Sequence, residues 1–99
     1  MSAKLIFSHK DIIAGCIREV VIWHLLRPVA GCNHRFKYRF YFGGQDGTCL
    51  VRYDNERGKG DHRHCADHEQ PYIFTGIDQL LVDFDNDIKR ILGADYEKL

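Results

Sequence analysis

The chain has 99 residues, of which 44% are hydrophobic and 28% charged, the make-up of one ordinary globular domain. Its longest uninterrupted apolar run, residues 20–23, is far too short for a membrane span, and the opening "MSAKLIFSHK" has no apolar signal core and no small-residue cleavage site. A cytoplasmic protein is expected. The formal net charge is zero, but residues 1–64 hold 11 Lys/Arg against 6 Asp/Glu, and residues 65–99 hold 3 against 8. A neutral total therefore leaves room for a locally basic surface.

In chain order, "KLIFS" (residues 4–8) is a short β-rich run. "CIREVVIWHLL" (residues 16–26) fits a helical period at Ile13, Ile17, Val20, Val21 and His24, but its β-branched cluster and Gly15 favour a strand buried on both faces. "RPVAGCNH" reads as a loop marked by Pro28 and Gly31. "RFKYRFYF" (residues 35–42) alternates Phe36, Tyr38, Phe40 and Phe42 with Arg35, Lys37, Arg39 and Tyr41, so one strand face is aromatic and the other cationic. "GGQDG" and "TCLVRYD" complete an antiparallel hairpin with a five-residue loop. Gly58 and Gly60 argue against a helix in "NERGKGDHRH", and Pro71 makes "EQPYIF" an edge or loop segment. "TGIDQLLVDFDNDIKRILG" (residues 75–93) is predicted to be a helix, with Thr75 as N-cap and Asp78 completing a capping box. Its apolar stripe is Ile77, Leu80, Leu81, Phe84, Ile88, Ile91 and Leu92, and Asp78, Asp83, Asp85 and Asp87 read as a solvated face.

These elements predict a single α+β domain over residues 1–99. A small antiparallel sheet of about four strands packs its aromatic side on the C-terminal amphipathic helix. The other side, with Arg35, Lys37 and Arg39, stays open to solvent, and Arg52 joins it if the hairpin register permits. Three cations of one sign on one strand face suit phosphate contact, and Tyr41 falls on the same face.

The stretch with most chemistry is "ERGKGDHRHCADHEQP", residues 56–71. Three readings stand beside each other. His62, His64, Cys65 and His68 are zinc-type ligands, though no one backbone conformation aims all four at a point without a sharp turn. An extended "DHRH" puts His62 and His64 on one side, about 6.5–7 Å apart from the strand rise, and two imidazoles so placed can act as base and acid on one phosphodiester. Arg63 points away in that case unless the segment bends, and Lys59 lies on a glycine-flanked loop. Asp61 or Asp54 could hold an imidazole in one tautomer, with Tyr53 just upstream. The plain alternative is a polar surface loop. The cysteines Cys16, Cys32, Cys49 and Cys65 form no C-x-x-C pair and are expected to be reduced, the first three as small, partly buried hydrophobes. His24 reads as a packing histidine, and His9 and His34 have no evident partner in the sequence.

The opening "KLIFSHK", then "EVVIWHLLRPV", "HRFKYRFYF", the Tyr53-Asp54-Asn55 triplet, "GKGDHRH" and "PYIFTGIDQLLVDFDNDI" together resemble the TumE family of toxin–antitoxin toxins, in order over most of the chain. The resemblance implies a toxin paired with a DNA-binding antitoxin, expected to carry a helix–turn–helix domain. Toxins of this kind are similar to RelE/ParE-like toxins, which include messenger-RNA cleavers and gyrase poisons. Those usually begin with helices, whereas a strand is expected here, and "DIIAGC" stands where a polar turn belongs. The resulting expectation is a type II toxin acting on RNA as a small endoribonuclease, with no cofactor or metal. His62 and His64 would be the acid–base pair, and Arg63 and Lys59 the phosphate contacts. Arg35, Lys37, Arg39 and Arg52 would follow the RNA backbone. A toxin that merely blocks a protein such as a topoisomerase is the alternative, and a His/Cys metal site the third.

Overall fold

A computed structural model describes residues 3–93. The strands are β1 (Ala3–Ile13), β2 (Cys16–Leu25), β3 (Phe36–Gly43), β4 (Cys49–Glu56), β5 (Gly60–Cys65) and β6 (His68–Pro71), followed by helix α1 (Ile77–Leu92). All six strands form one antiparallel sheet in sequential order, a meander with the helix on one side. The α+β class stands as expected, with six strands in place of about four.

The additional strand structure has local causes. "DIIAGC" carries its own turn: Asp11–Ile13 extends β1, and Ile13 pairs with Cys16 across a two-residue turn. Ala14 and Gly15 both take positive φ (50° and 80°), the backbone of a type I′ hairpin whose twist matches its strands. "DHRH" is likewise no loop. Gly60 adopts φ +75° and starts β5, which pairs with β4 from Glu56↔Gly60 to Val51↔Cys65. Pro71 then ends the short edge strand β6, where a missing N–H costs no ladder bond.

The core lies between sheet and helix. Leu80, Phe84 and Ile88 recur every four residues on α1 and are buried against Phe40, Phe42, Val51 and Tyr53. Phe84 meets the rings of Phe40 and Tyr53 edge-on, at centroid distances of 5.3 and 6.0 Å. Burying each such side chain contributes about 1.5–3 kcal/mol. Strand β2 is buried on one face only: Val20 and Ile22 face the core, while Val21 and Trp23 are partly exposed on the other. The helix covers only one side of the sheet, so no strand can be buried twice.

Two further expectations for α1 are corrected. Thr75 is not its N-cap; Gly76 occupies that position, without a side-chain cap bond. Asp87 is not solvated but 2% exposed. It receives Arg63 through Nε and Nη2 (2.8 and 2.6 Å), Tyr53 Oη (2.6 Å) and Arg90 Nη1 (2.7 Å). This cluster fastens the helix to β4 and β5. Burial alone would push the Asp87 carboxyl up, but the bonds from Arg63, Tyr53 and Arg90 outweigh it and hold the carboxyl below its usual range.

Candidate functional site on the open sheet face

Side chains alternate along each strand, so the register decides who shares the uncovered face. One row across the sheet runs Val21, Arg39, Asp54, His62, and the next runs Glu19, Tyr41, Arg52, His64. Lys37 stands two residues along β3 from Arg39, with Trp23 as its partner on β2. The strand therefore brings His62 and His64 together, and places Arg52, Asp54, Arg39 and Lys37 around them. Arg35 precedes β3 and is exposed. Lys59 lies in the β4–β5 turn and lines a shallow pocket of about 450 Å³ with His62, Glu69, Gln70 and Pro71.

The face is less uniformly basic than the β3 pattern implies. Arg39 pairs with Glu19 at 2.7 Å and Arg52 with Asp54 at 3.5 Å, acids that neighbouring strands supply. Arg39 also lies over the Tyr41 ring, 5.5 Å from its centroid. Lys37 donates to the carbonyl of Asn55.

The imidazoles differ in their surroundings. His62 Nδ1 lies 3.0 Å from the Gly60 carbonyl. A carbonyl only accepts, so the neutral ring carries its proton on Nδ1 and presents a lone pair on Nε2. The orienting group is thus a backbone oxygen and neither Asp54 nor Asp61. His64 lies between Arg52 on β4 and Glu69 on β6. Its Nδ1 is shut off from water without a hydrogen-bond partner, and the equally buried Nε of Arg52 has its 3.5 Å ion pair with Asp54 but no hydrogen bond. Under-satisfied polar atoms on adjacent strands mark a place where a further polar group would be welcome.

Three residues expected at the site face the other way. Arg63 lies on the helix side, where it is spent on Asp87 and on Tyr53 Oη at 2.8 Å. Tyr53 is buried beside it, and burial followed by the Asp87 carboxylate pushes its phenol well above the usual range. Asp61 accepts from Tyr38 Oη at 2.6 Å and from His34 Nε2 at 2.8 Å. Asn55, the third member of the Tyr53-Asp54-Asn55 triplet, is also structural. Its side chain bonds the Tyr38 N–H (3.1 Å) and the Phe36 carbonyl (2.6 Å), standing in for ladder bonds where β3 and β4 part. Only Asp54 of the triplet reaches the open face.

The metal reading of "HRHCADH" is not supported by the register. Cys65 packs toward the core while His62 and His64 lie on the opposite face. Among the described residues, the metal-type ligands that do converge are Cys32, His34 and Asp61, with ligand atoms within 4.8 Å of one another. Their hydrogen bonds argue against a cation there. The Phe36 N–H donates to His34 Nδ1 at 3.2 Å, which leaves the ring proton on Nε2, donated to Asp61. No lone pair remains on Nε2 for a metal. Burial, and then the Asp61 carboxylate, push the Cys32 thiol up. The trio instead pins the β2–β3 loop to β5, with His34 stacked on Phe74 at 3.7 Å. Sequence reasoning left His34 without a partner because 27 residues separate it from Asp61.

A helix-backed meander with a two-histidine, arginine-flanked open face is a small α+β protein that leaves one sheet surface uncovered. The family described as Toxin TumE matches residues 4–92, nearly the whole chain, and the chain belongs to this toxin family. No curated protein and no solved structure matches it. The protein is therefore a toxin, and the family implies an antitoxin partner. None of the described helices is long and apolar enough to cross a membrane.

Proposed function

We propose that this TumE toxin acts on RNA in the cytoplasm as a small endoribonuclease that uses histidine acid–base chemistry and needs no metal. The observation that carries the reading is the placing of His62 and His64 on the uncovered face of one strand, with the His62 lone pair left on Nε2 by the Gly60 carbonyl. His62 Nε2 takes the proton of a ribose 2′-hydroxyl, whose oxygen attacks the adjacent phosphorus. The bond from phosphorus to the 5′-oxygen breaks, and a protonated His64 supplies the proton to that oxygen. The products are a 2′,3′-cyclic phosphate and a free 5′-hydroxyl. Glu69 opposite His64 supplies a counter-charge to its imidazolium. Arg52 and Lys59 meet the phosphate, and Arg39, Lys37 and Arg35 follow the backbone, on or off the ribosome. Arg63, expected at the phosphate, acts here by holding β5 to the helix. A helix–turn–helix antitoxin would cover this face.

Replacing either histidine by Ala should lower cleavage of purified RNA by about 10²–10⁴-fold and abolish growth inhibition. Excess chelator should leave cleavage unchanged. Growth inhibition that survives His62→Ala/His64→Ala would sink the ribonuclease reading. It would favour a toxin that blocks a protein target such as a topoisomerase, to which the exposed Leu5, Ile6, Phe7 and Ile12 of β1 would offer a surface.

A further inference from the structure

A concavity of about 780 Å³ lies at one end of the open face, where the β2–β3 loop meets the β4–β5 turn. Its wall is apolar, formed by Leu25, Leu26, Pro28 and Val29, and the lining also includes Arg27, Lys37 and Arg57 and no acid. Leu26, on this wall, is 64% exposed. The volume is that of a small-molecule site, and apolar walls with a few cations suit a flat, weakly polar body that carries negative charge at its edge.

The walls are held, not loose. The Gly58 N–H donates to the Ala30 carbonyl at 2.7 Å. Gly31 and Gly60 touch backbone to backbone: a Cβ on Gly60 would lie 2.9 Å from the Gly31 oxygen, at a φ of +75° that side chains resist. Gly60 is also the residue whose carbonyl orients His62. Gly60 therefore ties the loop that carries part of the pocket wall to the strand that carries the histidine. Lys37, on the pocket lining, lies two strands over and two residues along from His62, about 12 Å by strand spacing and rise. A few nucleotides of single strand cover that distance.

We propose that this pocket is a nucleobase subsite for the same RNA strand, an inference that rests on the ribonuclease reading above. An unpaired base lies against the Leu25, Leu26 and Pro28 wall, with a guanidinium plane available for stacking. Its flanking phosphates meet Arg27, Lys37 and Arg57. The base sets where along the strand the scissile phosphate reaches His62, so the pocket confers position and sequence preference. A purely aliphatic ligand would make no use of the cations in the lining. Among the described residues the lining holds no acid, which disfavours a basic peptide.

The test is anisotropy binding of the full-length toxin to a fluorescein-labelled 2′-O-methyl octanucleotide, which lacks the attacking hydroxyl and stays intact. A single abasic position is moved along the strand. One position should weaken binding about 5- to 100-fold, and the others little. Ala30→Trp, which fills the pocket from an exposed loop position, should remove that difference. Arg27→Glu, at an exposed site independent of the wall, should weaken all the oligonucleotides and flatten the salt dependence of binding. Near-UV circular dichroism confirms that each variant is folded. Equal sensitivity at every abasic position, unchanged by Ala30→Trp, overturns the subsite while leaving RNA binding in place. No binding of any oligonucleotide by the wild-type toxin overturns the RNA reading itself, and the subsite with it.

Discussion

Replacing Asp87 by Asn keeps the shape of the side chain and removes its charge, a direct probe of what joins helix to sheet. In the native fold Asp87 takes four hydrogen bonds from three residues and is 2% exposed. Without the carboxylate, the Arg63 guanidinium is left charged in a half-dry site, and an amide cannot accept from all its donors. Removing one partner of a buried pair costs about 3–5 kcal/mol. The Arg63 side chain is 20% exposed and can recover some hydration, so a smaller loss than that, about 2–3 kcal/mol, is expected. That is a large part of the stability of a domain this size, and corresponds to a fall in Tm of about 8–24 °C. Urea unfolding followed by Trp23 fluorescence and far-UV circular dichroism measures it. The pH dependence gives an independent check. Because the folded carboxyl lies below its unfolded value, its stabilisation is complete above about pH 4 and fades as the pH falls through the folded value. The gap between wild type and Asp87→Asn should therefore close in acid. Arg90→Ala, on a side chain 62% exposed, should cost less than about 1 kcal/mol. An Asp87→Asn variant within about 0.5 kcal/mol of wild type at pH 7, with an unchanged urea slope, would refute the account of the cluster.

Gly60→Ala should destabilise by about 1–3 kcal/mol, since a methyl meets the Gly31 oxygen at a positive φ; an unchanged midpoint in urea would show that the two turns are not in contact. Thr75→Ala should change stability by less than about 0.3 kcal/mol, whereas a true N-cap would cost about 1 kcal/mol, which the same titration resolves. The double variant Arg63→Met/Asp87→Leu replaces the ion pair by packing; it should be near wild type in stability and still cleave RNA, whereas loss of cleavage in a folded double variant would return Arg63 to the phosphate.

The alternation in "RFKYRFYF" was enough to assign its two faces, and Tyr38, Phe40 and Phe42 are indeed the floor of the core. Periodicity also found α1 with its buried Leu80, Phe84 and Ile88. The candidate pair His62 and His64 followed from the same rule, since any strand puts alternate residues together. Arg63 and Asp61 face the helix by the same rule, as the extended reading of "DHRH" already had for Arg63. What was not legible was what they meet there, Asp87 for Arg63 and His34 for Asp61. Asp87 looked solvated because its partners Tyr53 and Arg63 are 34 and 24 residues away, beyond any local pattern.

The sequence by itself determined the α+β class, the aromatic core face, the helix and the spacing of the two histidines, because these depend on periods of two and 3.6 residues that act locally. Tertiary structure alone decided that Glu19 and Asp54 temper the cationic face, that Gly60 rather than a carboxylate orients His62, and that Arg63 holds the helix. Each of those depends on strand register, and register is settled by which long-range pairings bury the core, a sum over the whole sheet that no short stretch contains.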